Sequence, residues 1–256
     1  MSGAPAGIVL DMEGVLHVDW RPIDGSPEAV EELRRRGIEL AILTNTTGRT
    51  RAAIAARLSA IGFDFDPERI VTAASAAAEH LRRQHPDAAV DALVEDGATG
   101  DLEGLGLTEH PRDAAVVLLG GPDETWTYGR LNAVFRAVLE GTPLVAMQRN
   151  RWWPTVDGPS LDAGMFVAGL EFSSGVSATV VGKPSPAIYR SACELLGVEP
   201  ERAMMVGDDL ETDLPPALSI GMRTCLVRTG KGATFADPAG VDLDLPSLAT
   251  LPGAIG

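Results

Sequence analysis

The chain has 256 residues, of which 45% are hydrophobic, which is enough for one large domain or two modest domains with full cores. Its formal net charge of −15 argues against nucleic acid and anionic membranes as partners, because both attract basic surfaces. The two cysteines lie in apolar surroundings without metal-ligand spacing, so we expect buried thiols. Together with the absence of a targeting segment and of an apolar run near the roughly 20 residues of a membrane span, this favours a cytoplasmic protein.

Short apolar runs alternate with segments of helical periodicity along the chain. Strands are predicted, in chain order, at 7–10, 39–44, 89–93, 114–120, 143–147, 178–182, 203–207 and 223–228. Helices are predicted at 27–36, 50–61, 75–84, 127–139, 161–172, 186–196 and 216–220. Because the strands are continuously apolar and alternate with helices, the pattern indicates an α/β fold with a doubly wound parallel sheet.

Polar residues follow several of the predicted strands at the point where each strand ends. They are Asp11 and Glu13, Thr44 and Asn45, Lys183, and Asp208 with Asp209. Taken singly, such residues are usually turn formers, helix caps or solvated charges. Their joint order is harder to obtain by chance. Because ligands bind at the carboxyl edge of open parallel sheets, we expect these side chains to converge on a site there.

The residue types indicate phosphate chemistry. Several carboxylates in one cleft repel one another unless a cation lies among them, and oxygen ligands suit Mg²⁺. Lys183 and the polar groups of 44–46 would bind phosphate oxygens. One carboxylate could then attack phosphorus in line and form an aspartyl-phosphate, which water later cleaves.

Four segments in a fixed order resemble the motifs of one protein family. The segments are "DMEGVL" (11–16), "LTNTT" (43–47), "GKPSP" (182–186) and "VGDDLETD" (206–213). Their order resembles that of phosphatases of the haloacid dehalogenase superfamily, in the branch with a C2-type cap (subfamily IIA). The resemblance implies a discontinuous Rossmann-like core of residues 1–72 and 178–256, with an α/β cap inserted at 73–177.

The resemblance also implies roles for individual residues. Asp11 would be the nucleophile and a Mg²⁺ ligand, with Glu13 contributing its backbone carbonyl and Asp208 completing the metal site. Lys183 would bind phosphate and orient Asp11, so that Asp11, Glu13 and Lys183 form the catalytic set. Phosphate would be bound by Thr44, Asn45, Thr46 and Lys183. Asp213 and Asp209 would hold either the water molecules of the metal or the side chain of Lys183.

Glu13 departs from the family pattern. Active phosphatases of the superfamily typically carry aspartate at this position, where it protonates the leaving group and then activates water. Glutamate keeps the acid but adds about 1.5 Å of reach, and a misplacement of about 1 Å can cost about a hundredfold in rate. Two roles therefore remain open: a general acid and base with an over-long side chain, or a residue that acts through its backbone.

Other segments allow both a structural and a functional interpretation. Trp152 and Trp153 allow three interpretations. They could lie in the packed core of the cap, in the subunit interface of a homodimer formed through the cap, or in a wall against the substrate's leaving group. The glycine-rich stretch 157–165 is either an ordinary loop before a helix or a source of backbone amides for a substrate. For His17, a role near the site or as a cap is favoured over catalysis.

These observations lead to a Mg²⁺-dependent hydrolase of small phosphorylated compounds as the expected function. Two alternatives remain: phosphoryl transfer between metabolites, which needs a cap that excludes water, and a low-turnover protein that binds phosphate and Mg²⁺ and acts through interactions. Glu13 is the feature that favours the latter. We expect substrate identity to depend on the shape of the cap.

Overall fold

A computed structural model of the chain describes residues 3–155, 157–235 and 240–256. The strands of this part are β1 (Gly7–Leu10), β2 (His17–Val18), β3 (Arg21–Pro22), β4 (Glu39–Thr44), β5 (Ile70–Thr72), β6 (Ala89–Leu93), β7 (Gly106–Thr108), β8 (Val116–Leu119), β9 (Leu144–Ala146), β10 (Trp152–Thr155), β11 (Gly158–Leu161), β12 (Thr179–Val180), β13 (Ala203–Gly207), β14 (Arg223–Val227) and β15 (Leu243–Leu245).

Helices connect most of these strands. They are α1 (Ser26–Arg35), α2 (Arg51–Ala60), α3 (Ala73–Gln84), α4 (Tyr128–Leu139), α5 (Ala163–Ser174), α6 (Pro186–Leu196), α7 (Leu214–Ser219) and α8 (Leu251–Ala254). None of the helices in the described ranges is both long and apolar enough to cross a membrane. The proline pair 215–216 lies in the first turn of α7, where a missing backbone N–H costs nothing, as the sequence predicts.

The first of two compact units comprises residues 1–44, 51–71 and 183–256. Its six-stranded sheet has the order β15-β14-β13-β1-β4-β5, and β1 pairs in parallel with both β13 and β4. Every residue of β1 and β13 is buried, as expected of central strands covered on both faces. This order places the carboxyl ends of β1, β4 and β13 side by side at one edge.

The core of the first unit is built mainly from aliphatic residues of the central strands and from α1 and α2. Leu33 on α1, together with Ile54 and Leu58 on α2, is fully buried in this cluster. The last two lie four residues apart, on one face of the helix, so the apolar stripe of α2 faces the sheet. A short antiparallel hairpin of β2 and β3 follows the first motif.

The second compact unit comprises residues 45–50 and 72–182 and has its own parallel sheet, in the order β12-β9-β8-β6-β7. A separate hairpin pairs β10 with β11, with Trp152 opposite Leu161. Helix α3 begins with a capping box in which Thr72 and Ser75 exchange hydrogen bonds. A partly buried ion pair between Arg130 and the fully buried Asp91 connects α4 to strand β6.

The α/β class and the parallel sheets are confirmed, and each strand and helix predicted above occurs in the structure with ends shifted by up to about two residues. The stretch 157–165 is not one continuous loop, because β11 occupies 158–161. The division into units differs from the predicted domain limits, since residues 45–50, 72 and 178–182, which were assigned to the core, group with the second unit. Several short strands were missed, namely β2, β3, β5, β7, β10, β11 and β15.

Candidate active site

Two acids of the candidate site are brought together by the pairing of β1 with β13. Asp11 follows β1 and Asp208 follows β13, and the last paired residues of the two strands are Leu10 and Val206. The ladder continues one step further, because the Asp11 N–H donates to the Val206 carbonyl at 2.9 Å. Both carboxylates are buried, at 8% and 4% residue exposure, although burial alone disfavours a charged group.

Lys183 supplies the buried positive charge of the site. Its Nζ donates to Asp11 Oδ1 and to Asp213 Oδ1, each at 2.7 Å. Burial lowers the pKa of Lys183, but the Asp11 and Asp213 carboxylates outweigh this effect and hold the pKa well above its usual value. Lys183 therefore stays charged and orients the carboxylate of Asp11.

Three carboxylates share this site with one lysine. Ligand oxygens of Asp11, Asp208 and Asp213 all lie within 4.8 Å of one another. Burial, together with the Asp11 and Asp213 carboxylates, raises the pKa of Asp208 to about 7. The local excess of negative charge and the oxygen-only donor set fit a hard divalent cation such as Mg²⁺, which would hold Asp208 in its charged form.

The Asp208 carboxylate is enclosed by two glycines. A Cβ built on Gly14, where φ is +82°, would lie 2.5 Å from Asp208 Cγ. A Cβ on Gly230 would lie 2.7 Å from the Cα of Gly14. The Lys231 N–H also donates to Asp208 Oδ2 at 2.7 Å. Glycine is therefore required at both positions because the two backbones approach the carboxylate closely.

A second lysine borders the site and was not identified from the sequence. Lys231 Nζ lies 2.6 Å from Asp209 Oδ2, and its side chain is 70% exposed. Burial raises the pKa of Asp209, but hydrogen bonds from Lys231 and from the Glu211 and Thr212 amides outweigh it and lower the pKa. The hydroxyl of Thr229 in the same turn donates to the Gly14 carbonyl. One signal in the sequence could have located this turn: it is glycine-rich, it follows the predicted strand β14, and it carries a lysine in an otherwise acidic chain.

Glu13 has a different environment from the three clustered carboxylates. Its Oε2 lies 3.0 Å from His17 Nδ1, and its Oε1 accepts a hydrogen bond from the Asp19 N–H at 2.8 Å. Partial burial raises the pKa of Glu13, but the His17 and Asp19 hydrogen bonds outweigh it and lower the pKa. With its side chain 58% exposed, Glu13 is not a member of the acidic cluster of the described residues.

The predicted phosphate-binding residues are divided between the two units. Thr44 is buried at the end of β4 in the first unit, whereas Asn45 and Thr46 group with the second. In the second unit the Thr47 hydroxyl donates to Glu95 Oε2 at 3.2 Å. Burial raises the pKa of Glu95 despite this bond, and the nearby Asp162 and Asp123 carboxylates raise it further. Glu95 is a contact of the second motif that sequence reasoning did not find.

The remaining sequence candidates lie outside the acidic cluster. Trp152 and Trp153 on β10 are about half exposed, at 54% and 51%, so neither is part of a packed core. The interpretations as a subunit interface or a substrate wall, and the homodimer, stay predictions. Both cysteines are buried and free, as expected.

The chain matches two protein-family models, described as haloacid dehalogenase-like hydrolase, over residues 8–108, and HAD-hydrolase-like, over residues 180–245. It is 35% identical to the human haloacid dehalogenase-like hydrolase domain-containing protein 2 over 224 residues, covering 88% of this chain and 84% of that protein. It is 33% identical to the human phospholysine phosphohistidine inorganic pyrophosphate phosphatase over 231 residues, covering 88% and 83%. Among solved structures, a p-nitrophenyl phosphatase from Archaeoglobus fulgidus superposes with a TM-score of 0.91 at 27% identity, covering 98% of this chain and 99% of that one.

The chain therefore belongs to the haloacid dehalogenase superfamily of hydrolases. The predicted family and enzyme class are confirmed, and so is the Rossmann-like α/β fold of that superfamily.

Proposed function

We propose that the protein is a Mg²⁺-dependent phosphatase of small phosphorylated compounds, with Asp11 as the nucleophile. One observation carries the proposal: Asp11 directly follows the central strand β1, and its Oδ1 lies 2.7 Å from Lys183 Nζ, beside the Asp208 and Asp213 carboxylates. At the carboxyl edge of a parallel sheet, this carboxylate is placed to attack a bound substrate. The ammonium beside it would reduce the repulsion between the carboxylate and a negatively charged phosphate.

The reaction would proceed in two displacements at phosphorus. In the first, an Asp11 carboxylate oxygen forms a bond to phosphorus while the bond to the leaving oxygen breaks, and the leaving group departs with the electron pair. In the second, water attacks the phosphorus of the aspartyl-phosphate, which returns the Asp11 carboxylate and releases inorganic phosphate and a proton. Lys183 would hold a phosphate oxygen and orient Asp11 during both displacements.

Asp11 and Asp208 would hold the Mg²⁺ ion through their carboxylates, and Glu13 through its backbone carbonyl. Bound there, Mg²⁺ would offset the charge of the cluster and of the phosphate. Asp213 would keep Lys183 in place, because Lys183 bonds Asp213 and Asp11 equally closely. Asp209 would act from the edge of the site, where it pairs with Lys231.

The names of two relatives suggest which substrates to try first. One is named for phospholysine, phosphohistidine and inorganic pyrophosphate, and the other for p-nitrophenyl phosphate. Nitrophenolate and phosphate are both groups that leave without prior protonation. We therefore propose p-nitrophenyl phosphate and pyrophosphate as the first substrates for assay.

A second candidate function is a protein that binds phosphate and Mg²⁺ with little turnover. It is favoured by the engagement of both Glu13 oxygens, since the side chain predicted to protonate the leaving group is bound elsewhere. Such a protein would bind inorganic phosphate in the presence of Mg²⁺ without hydrolysing any ester.

Steady-state hydrolysis of p-nitrophenyl phosphate, in millimolar Mg²⁺ and in EDTA, separates the two candidates. The phosphatase proposal predicts turnover that requires Mg²⁺ and falls by several orders of magnitude in Asp11→Asn, whose amide is a poor nucleophile. Asp19→Asn is the matched control, with the same change in a nearby acid, and should keep the activity. Residual activity above about a tenth in Asp11→Asn would contradict a covalent role, and Mg²⁺-dependent phosphate binding without turnover would favour the second candidate.

A further inference from the structure

The carboxylate of Glu13 is bound within the short hairpin that follows the first motif. Oε1 accepts from the Asp19 N–H at 2.8 Å, and Oε2 lies 3.0 Å from His17 Nδ1. The Gly14 N–H donates to the His17 carbonyl at 2.7 Å, which places residue 13 beside residue 17. Both carboxylate oxygens are thus engaged by the hairpin itself.

The turn that Glu13 binds has an unusual backbone. Strands β2 and β3 are joined by Asp19 and Trp20, whose φ angles are +49° and +58°. Two successive left-handed residues form the type I′ turn that suits a two-residue hairpin, and glycine or asparagine usually occupies it. Trp20 is costly there, so contacts outside the turn must hold it, and the bond from the Asp19 amide to Glu13 is one of them.

His17 provides a second contact to the same turn. Its ring is fully buried and stacks on Trp20, with centroids 4.6 Å apart and planes at 21°. The guanidinium of Arg57 lies 4.0 Å from the centre of the Trp20 ring. Nδ1 of His17 is also 3.3 Å from the Trp20 N–H, but it cannot accept that bond while donating to Glu13. The shorter contact, to a carboxylate, is the stronger one.

We propose that the Glu13 carboxylate holds the β2–β3 hairpin in place through its bonds to Asp19 and His17, an arrangement we call the clasp. His17 is the positioning residue of the clasp, and neither Glu13 nor His17 protonates the leaving group. The proposal rests on the proposed phosphatase function and deepens it. An aspartate, one methylene shorter, could not reach both partners from the same backbone, which gives a physical reason for glutamate at this position. Without a proton donor at residue 13, the favoured substrates would be aryl phosphates and phosphoanhydrides, whose leaving groups depart unprotonated, over alkyl phosphates.

Two measurements on four variants test the clasp. The first is hydrogen exchange of the Asp19 amide, which needs no substrate and so remains informative if the chain proves not to be a phosphatase. The second is the dependence of kcat/KM on leaving-group pKa over a series of aryl and alkyl phosphates. The variants are Glu13→Gln, which keeps an acceptor oxygen but no acid, Glu13→Ala, His17→Ala, and His17→Asn, which keeps a donor near the position of Nδ1.

The clasp predicts that Glu13→Gln keeps the leaving-group dependence of the wild type and, because it retains one acceptor oxygen but not the charge, speeds exchange less than Glu13→Ala. Glu13→Ala and His17→Ala should speed exchange of the Asp19 amide by about tenfold or more, the effect of losing one charge-assisted hydrogen bond. They should lower kcat/KM equally for all leaving groups, and His17→Asn should recover part of both losses. A selective loss on poor leaving groups in Glu13→Gln would show that Glu13 is a general acid, and unchanged exchange in Glu13→Ala would show that no clasp exists.

Discussion

Lys183 and Asp213 form the most deeply buried ion pair of the candidate site, with Nζ 2.7 Å from Oδ1 and Asp213 fully buried. The same Nζ donates to Asp11, so a single ammonium fixes two carboxylates on different parts of the chain. Because removing one member of a buried pair leaves an uncompensated charge, the effect of losing Lys183 should greatly exceed that of losing an exposed lysine.

Lys183→Met should therefore lower the free energy of unfolding by about 3–5 kcal/mol. Hydrolysis should fall as well, because Asp11 loses its orienting partner. Urea unfolding at neutral pH measures the stability. Lys231→Met is the matched control: its ammonium pairs with Asp209 but is 70% exposed, so the expected loss is at most about 1 kcal/mol. Equal losses in the two variants would contradict the central role of Lys183 in this site.

Mg²⁺ should raise the melting temperature of the protein. A ligand that binds only the folded state stabilises it by about 2.7 kcal/mol at a concentration a hundred times its Kd. Differential scanning fluorimetry in EDTA and in millimolar Mg²⁺ measures the shift. Asp208→Asn should lose most of it, whereas Asp244→Asn, at an exposed acid of β15, should keep it. The same melting temperature in EDTA and Mg²⁺ would contradict the metal site.

The contribution of Asp208 to the stability of the metal-free protein should fall as pH rises between about 4 and 7. The pKa of Asp208 is raised from 3.8 in its ordinary state to about 7 in the fold, so the folded state binds the proton more tightly. This contribution is fully present below the lower value and is lost as pH passes through the upper one, with a slope of at most about 1.4 kcal/mol per pH unit.

Urea unfolding in EDTA at several pH values measures this slope. Asp208→Asn should reduce the slope, because the amide does not titrate, but should not abolish it, because the pKa of Asp213 is also raised by burial and contributes a dependence of the same sign. An unchanged slope in Asp208→Asn would show that the pKa of Asp208 is not raised by its surroundings.

Gly14→Ala should damage the site more than its backbone angle alone explains. The new Cβ would lie 2.5 Å from Asp208 Cγ, so the carboxylate would have to move. Gly197→Ala is the control: its φ of +67° is similar, but nothing lies within 4 Å of the new Cβ. Both variants should lose about 1–2 kcal/mol of stability from the left-handed backbone, and only Gly14→Ala should lose the Mg²⁺-dependent shift in melting temperature. A retained shift would contradict the enclosure of Asp208.

The sequence was most informative where residues follow long apolar strands. Asp11 and Asp208 could be placed because the parallel strands β1 and β13 align their carboxyl ends, and their pairing then fixes the distance between the two residues. The expectation that Lys183 follows a strand of the same sheet was wrong, because β12, the strand before it, pairs with β9 in the second unit's sheet. The fold of both sheets followed from the same alternation of strands and helices. The roles of these residues are predictions that rest on the family resemblance.

Contacts made by irregular turns and by very short strands could not be predicted. Lys231 meets Asp209 because the turn after β14 folds back on the site, and no periodicity encodes that turn. The β2–β3 hairpin has strands of two residues each, too short for an alternating pattern, and its turn lacks glycine. The environment of Glu13, which depends on that hairpin, was therefore not available from the sequence.

The stereochemical course at phosphorus tests the central claim most directly. A phosphate ester made chiral with three oxygen isotopes reports whether one displacement or two occur during transfer of the phosphoryl group to an acceptor alcohol. Two in-line displacements, through a phosphorylated Asp11, predict net retention of configuration at phosphorus. Net inversion would show that the acceptor attacks phosphorus directly, and would contradict the aspartyl-phosphate.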